Sequence, residues 1–362
     1  MADPTAPAPP APSNDGYIDI TVNILAIDGG GIRGLIPALL IRKLEQLTGK
    51  RAHELFHIIG GTSTGGILTL LLTCPDKSGQ PRHSIDEIVK LYTEKGQTMF
   101  QRPWWRAATT VGGLLGSKYP GKTVTNALRP YLEGAELKEA LTDIVLTTYD
   151  IESREAVFFS RRRAQKKADY NLSMLDAARS TAAAPTFFPP VEVKGTHGAK
   201  RFHLVDGGVV ANNPAACAMY EAHRQYCEDP VTKKPRPEVR MHYHLVSVGT
   251  GQHEAAIRAG AWGWGLGKWG PDIVDVLFDG SCDAMHHIAK GWAGLHNNWR
   301  LQVHLGKDHQ AMDDASPENI KYLRRLVEDA TKDGSPMHAE LQQAAAYLKE
   351  AFATRAAAAQ GA

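Results

Sequence analysis

The first sustained apolar run is Ile18 to Ile27, rich in β-branched residues and ending in Asp28 and three glycines, the pattern of a buried strand entering a tight loop. Leu35, Leu39, Ile41, Leu44 and Leu47 then roughly keep helical spacing. Pro37 falls in the first turn, where its missing N–H costs least, and Gly49 supplies a stop. The unit repeats: Leu55 to Ile59 is a short apolar run ending in Gly60-Gly-Thr-Ser-Thr-Gly-Gly66, followed by an apolar helix from Ile67 to Thr73. Two successive strand–loop–helix units predict an α/β fold with a mainly parallel sheet between layers of helices.

Farther along, Ser84 with Glu87 forms a capping box that starts a helix running to Gly96. Strands are expected over Ile144–Tyr149, Ala156–Ser160, Phe202–Val205 and Tyr243–Val248, a helix after Asn213-Pro214, and Ala-rich charged helices from Pro317 onward. With no internal repeat or persuasive linker, the chain divides into an arm (1–17), one α/β domain (18–316) and a C-terminal helical appendage (317–362).

Composition narrows the classes. The 362 residues are 43% hydrophobic and 22% charged, enough for a sizeable core, and the formal net charge of +2 supplies no overall field to recruit a nucleic-acid polymer. The four cysteines have neither disulfide-framework nor zinc-ligand spacing, and no metal or cofactor is expected. The opening Pro/Ala-rich stretch reads as a disordered arm rather than a secretory signal, and a cytoplasmic location is expected. No run reaches the roughly 18 apolar residues of a membrane span, so any membrane substrate is met peripherally, at the surface.

Three elements carry chemistry. Gly61-Thr62-Ser63-Thr64-Gly65 is a G-x-S-x-G sequence between an expected strand and an expected helix, the context of a nucleophile elbow in which small neighbours let substrate approach the serine hydroxyl. The loop Asp28-Gly29-Gly30-Gly31-Ile32-Arg33-Gly34 can turn consecutive backbone N–H groups toward one point, as an oxyanion requires. Arg33 either adds positive charge there, or is a surface arginine or the partner of an acid that holds the loop. Asp206-Gly207-Gly208 closes an expected strand and offers a carboxylate that reaches the elbow or caps its own turn.

Together, and in this order, these elements resemble the patatin-like phospholipase family, with its D-G-G-G-x-R-G loop, G-x-S-x-G elbow and distal D-G-G. The small-residue stretch Ser180 to Pro189 is similar as well, and the likeness covers Ile24 to Asn213. The resemblance implies a three-layer α/β/α catalytic domain and a lipid acyl hydrolase working by a Ser63–Asp206 dyad without histidine. It implies an oxyanion site at Gly29, Gly30 and Gly31 with Arg33, and Gly61, Gly65, Gly207 and Gly208 shaping the turns. Aspartate is a weaker base than histidine by about 2.6 pKa units, or about 3.5 kcal/mol, so burial of Asp206 or strong oxyanion stabilisation must offset that. Some bacterial members that the chain resembles are switched on by cyclic dinucleotides in anti-phage defence, which makes a cyclic dinucleotide a candidate activator beside the phospholipid substrate.

Three rival readings stay open from sequence, one of them a non-enzymic storage or scaffolding protein on the same fold, against which the retained Ser63 and Asp206 argue. A later histidine such as His253 would complete a Ser63–Asp206–His253 triad in α/β-hydrolase order. Gly29-x-Gly31-x-x-Gly34 formally satisfies a dinucleotide pattern, but no acid closes the second strand. Oligomeric state is open too. Trp104, Trp105, Trp262, Trp264 and Trp269 sit in irregular, glycine-containing stretches near basic residues, so one stretch lines an acyl entrance at a membrane or the rings plug the core. Arg161-Arg-Arg163 with Lys166-Lys167 reads as a solvated face, or as a site for anionic lipid or a nucleotide.

Overall fold

A computed structural model describes residues 15–99, 117–229, 231–253, 266–294 and 297–360, with the backbone alone at 266–272 and 358–360. The arm through Asn14 and the rings of Trp104, Trp105, Trp262, Trp264 and Trp269 lie outside that description.

Strand β1 (Ile18–Ile27) leads through the glycine loop to helix α1 (Leu35–Thr48), which stops at Gly49 in the left-handed region with φ 69°. Strand β2 (Ile58–Gly61) leads to α2 (Thr64–Thr73). The expected strand from Leu55 is shorter at its start, because Ala52–Leu55 form one helical turn closed by a reciprocal Arg51–Glu54 cap. Helix α3 (Ile85–Met99) begins at the Ser84–Glu87 pair, whose backbone and side chain bonds close the box at 2.8 and 3.3 Å, and it outruns Gly96 by three residues. Helix α4 (Gly121–Leu132), strands β3 (Asp143–Asp150) and β4 (Glu155–Ser160), helix α5 (Met174–Thr181), strands β5 (Val191–Lys194) and β6 (Arg201–Asp206), helix α6 (Ala215–Tyr226) and strand β7 (Val239–Val248) follow.

After β7 come a short strand, β8 (Gln252–His253), and the 28-residue helix α7 (Leu266–Ala293). The irregular stretch expected through Trp269 is therefore helical from Leu266. Four glycines between 267 and 291 hide the spacing of Val274, Phe278, Ala289 and Ala293, which are the buried positions among the described side chains of that helix. Strands β9 (Asn298–Leu301) and β10 (His304–Leu305) precede helices α8 (Pro317–Ala330) and α9 (Pro336–Gln360). Both C-terminal helices pack on α1, and Leu323, Val327, Leu341 and Leu348 join the main core.

The eight-stranded sheet has the order β5-β6-β3-β2-β1-β7-β9, with β4 on β3. The pairs β1–β2, β1–β7, β2–β3 and β7–β9 are parallel, while β3–β4, β3–β6 and β5–β6 are antiparallel. Alternation along β1 sends Leu25 and Ile27 into one core with α1 and α2, and Ile24 and Ala26 into another with α6 and α7. Helices therefore cover both faces, giving three layers.

One feature of the pairing positions the chemistry. Both β2 and β4 pair with Val145 and Leu146 of β3, so they lie on opposite edges; β4 and β6 both pair with Thr148 to Asp150, so β6 shares the edge used by β2. Parallel β2 ends with Gly61 opposite Leu146, and antiparallel β6 ends with Asp206 opposite Thr148. The two strands meet head-on across the single position Thr147.

Candidate active site

Ser63 sits two residues beyond the end of β2, at φ 55° and ψ −125°, a region costly for a residue with a Cβ. The strain is held by surroundings that leave little choice. The Ser63 N–H donates to Thr181 Oγ1 at 3.0 Å, and that hydroxyl donates to the Thr147 carbonyl at 2.8 Å. Thr62 Oγ1 donates to the Ala211 carbonyl and shares a hydrogen bond with Thr147 Oγ1, both at 2.7 Å. On the far side, Tyr92 and Thr64 hydroxyls meet at 2.6 Å.

Asp206 is fully buried. Its Oδ1 accepts the Gly208 N–H at 2.7 Å, and Oδ2 has no hydrogen-bond partner of full geometry among the described residues. Burial pushes its pKa up to about 7; the Ser63 hydroxyl and the Gly208 amide draw it partway back. Burial is thus the factor that narrows the basicity gap between aspartate and histidine. The head-on meeting of β2 and β6 brings this carboxyl to the serine, and the small residues at 207 and 208 let Thr147 and the Phe278 ring of α7 press against the turn.

The glycine loop approaches closely. A Cβ on Gly29 would lie 3.0 Å from Ser63 Cβ and would strike the Asn212 side chain, so only glycine fits without displacement. Gly31 has φ +62° and packs on the Met312 backbone. The three loop amides are not equivalent. Gly29 N–H donates to the Asn212 carbonyl at 3.1 Å, whereas those of Gly30 and Gly31 donate to no acceptor among the described residues. Thr64, first residue of α2, likewise has a free N–H there, as helix starts do.

Arg33 lies beneath the loop. It is 5% exposed, and its guanidinium donates to the Gly30 carbonyl (3.3 Å), the Gln310 carbonyl (3.2 Å) and His253 Nε2 (2.5 Å). It is therefore neither on the surface nor, among the described residues, joined to an acid, as the sequence allowed, but holds the loop through two carbonyls and a histidine. His253 is engaged there, and burial followed by Arg33 lowers its pKa.

Ser63, Thr64 and Gly31 open into a pocket walled by Ile67, Tyr92, Met99, Val124, Phe187, Phe188, Phe278 and Met312, a lining that suits an acyl chain. No role was read from sequence for Thr147, Thr181, Asn212, Phe278 or Met312, although Thr147 lies in an expected strand, Thr181 in the small-residue stretch and Asn212 just after the Asp-Gly-Gly turn. Among the described residues no group of three or more His, Cys, Asp or Glu side chains is placed to hold a metal, and no helix is long and apolar enough to cross a membrane.

The family model for patatin-like phospholipase matches residues 25–219, which contain the loop, the elbow and the aspartate. The chain belongs to the patatin-like phospholipase family. It is 34% identical over 335 residues to Patatin-like protein 2 of Oryza sativa subsp. japonica, spanning 85% of this chain and 83% of that one. It is also 34% identical over 337 residues to Patatin-like protein 2 of Arabidopsis thaliana (86% and 83%) and 31% over 335 residues to Patatin-1-Kuras 2 of Solanum tuberosum (86% and 86%). The crystal structure of VipD from Legionella pneumophila is a looser likeness, with a TM-score of 0.30 at 13% identity over 88% of this chain and 69% of that one. As a family member this patatin-like protein is a carboxylic ester hydrolase acting on lipids, with the mainly parallel sheet between helices described above.

Proposed function

We propose that this patatin-like enzyme releases fatty acids from membrane phospholipids through a Ser63–Asp206 dyad. The observation that carries the reading is the buried Asp206 carboxyl beside a strained serine that faces an apolar pocket. The ester carbonyl sits over Ser63 with its acyl chain in the pocket. Asp206 takes the hydroxyl proton as Oγ attacks, and the tetrahedral oxyanion is held by the N–H groups of Gly30, Gly31 and Thr64. Asp206 returns the proton to the departing alcohol, leaving an acyl-Ser63 ester. Water, deprotonated by Asp206, then frees the fatty acid and restores the serine. Gly29 serves by its lack of a side chain rather than by its amide, and Arg33 by fixing the Gly30 carbonyl. The enzyme works from the cytoplasm, visiting the bilayer surface.

Reaction with a long-chain fluorophosphonate tests this. One adduct per chain should map to Ser63, and Asp206→Asn should slow its formation about 100-fold or more. Labelling elsewhere, or an unchanged rate in the variant, contradicts the dyad.

A second reading concerns control, favoured by where the basic cluster lies. Arg162, Arg163, Lys166 and Lys167 line a cavity with Arg224 and Lys233, and Glu221 is the one acid among its described lining residues. Neighbouring Arg161 pairs with Asp143 at the start of β3, placing the cavity at the opposite end of the sheet from Ser63. This suits an anionic ligand, and the cyclic dinucleotide implied by the family resemblance is the one to try. Hydrolysis should rise with the ligand and lose that rise in Arg163→Glu/Arg224→Glu; equal rates with and without it contradict control.

A further inference from the structure

Asp28 opens the glycine loop, yet its carboxylate takes no part in the proposed chemistry. It is 1% exposed, at the end of β1, with its N–H donated to the Val248 carbonyl at 3.1 Å. A buried carboxylate is costly unless paired. The charge that meets it comes from the far end of the chain: Arg300 Nη2 donates to Asp28 Oδ2 at 2.5 Å. The Cys282 thiol of α7 adds a weak bond to the same oxygen at 3.4 Å, while Oδ1 has no partner among the described residues.

Arg300 reaches a second loop as well. It lies on the edge strand β9, in register with Ser247 of β7, and its Nη1 donates to Ser247 Oγ at 2.8 Å. Asn213 Nδ2 donates to that same hydroxyl at 3.0 Å, and Asn213 Oδ1 accepts the first N–H of α6 at 2.9 Å. Its neighbour Asn212 holds Gly29 from both sides, accepting its N–H at 3.1 Å and donating Nδ2 to its carbonyl at 3.4 Å. One guanidinium therefore ties the loop of Gly29 to Gly31 to the segment that follows Asp206. It stands outside residues 25–219, where the family motifs lie.

We infer that Arg300 is a positioning residue for hydrolysis, bracing the oxyanion amides against the Asp206 segment through Asp28 and Ser247. The inference rests on the dyad and oxyanion reading above. It predicts a specific defect: binding of substrate in the apolar pocket survives, and stabilisation of the tetrahedral state does not. Lysine cannot replace the function, since an ammonium lacks the planar fork that serves two acceptors at once.

The test compares wild type, Arg300→Lys, Arg300→Gln and Ser63→Ala on a short-chain chromogenic ester, with a trifluoromethyl ketone as the tetrahedral-state probe and a thermal melt to check folding. Both Arg300 variants should lose about tenfold or more in kcat, keep KM within about twofold, and bind the ketone more weakly by the same factor as kcat. A folded Arg300→Gln with wild-type kcat, or with weakened KM and an unchanged ketone affinity, overturns the inference. Should the arginine variants fail to fold, Ser247→Ala removes one of the two acceptors more gently. It should lower kcat severalfold at constant KM, and a wild-type kcat there is equally contradictory. Activity retained in Ser63→Ala would instead defeat the dyad itself, separately from any result at Arg300.

Discussion

Thr62 and Thr147 share a 2.7 Å hydrogen bond at the one position of β3 that neither β2 nor β6 occupies. That bond marks the point where two strands running toward each other stop, and it explains why Ser63 and Asp206, 143 residues apart in sequence, end up side by side. In a sheet where β6 paired elsewhere, the Asp-Gly-Gly turn would cap only itself.

The first consequence is a pH profile. Asp206 must be ionised to accept the serine proton, and burial raises its pKa to about 7. For a water-soluble short-chain ester, kcat/KM of the free enzyme should rise with pH through an apparent pKa near that value and then level off. A profile flat down to pH of about 5 would mean that the base is some other group, or that Asp206 is not shifted.

Stability should move in the opposite sense. Because the folded pKa lies above the unfolded value of 3.8, the buried acid contributes stability while protonated, and that contribution disappears as pH rises from about 4 through about 7. The whole loss amounts to up to about 4 kcal/mol and is complete above that range. Asp206→Asn should therefore raise the melting temperature at pH of about 8 and match wild type near pH of about 4. Equal melting curves at both pH values, or a less stable variant at the higher one, would contradict this.

Gly29→Ala should abolish hydrolysis in a folded protein. The added methyl meets the Asn212 side chain and lies 3.0 Å from Ser63 Cβ. A cost of about 1–3 kcal/mol in stability is expected, with a loss of about 100-fold or more in kcat. Chemical denaturation and steady-state kinetics on the same sample check both, and near-normal turnover would show that the loop is not pressed against the serine.

His253 separates the dyad from a triad. Its Nε2 accepts from Arg33 at 2.5 Å, beneath the loop and away from the pocket lining. His253→Ala should keep hydrolysis within about threefold of wild type, whereas Arg33→Met, which frees the Gly30 carbonyl and leaves its amide less well held, should lose about tenfold or more. A collapse in the histidine variant comparable to that of Ser63→Ala would restore the triad.

How far the sequence foretold this depends on the range of the interactions involved. The strand before Asp28, the elbow at Ser63 and the stop at Gly49 are encoded within a few residues, by apolar runs and glycine, and they were legible. The capping box at Ser84 was legible for the same reason. Leu55 looked like strand because it is apolar and buried, but a local Arg51–Glu54 cap makes its turn helical. The inequality between Gly29 and its two neighbours was out of sight, since it depends on a carbonyl at Asn212. The partners of Arg33 were out of sight, because His253 and Gln310 lie more than 200 residues away and neither is an acid. Helix α7 was hidden by its glycines, and with it the Phe278 wall of the pocket.

The most direct test of the central claim is release of fatty acid from phospholipid vesicles by wild type, Ser63→Ala and Asp206→Asn, each confirmed to be folded, followed at pH of about 8 with and without cyclic dinucleotide. The dyad account predicts acid from wild type and a fall of at least about 1,000-fold in both variants. Release by either variant at a rate near that of wild type contradicts it.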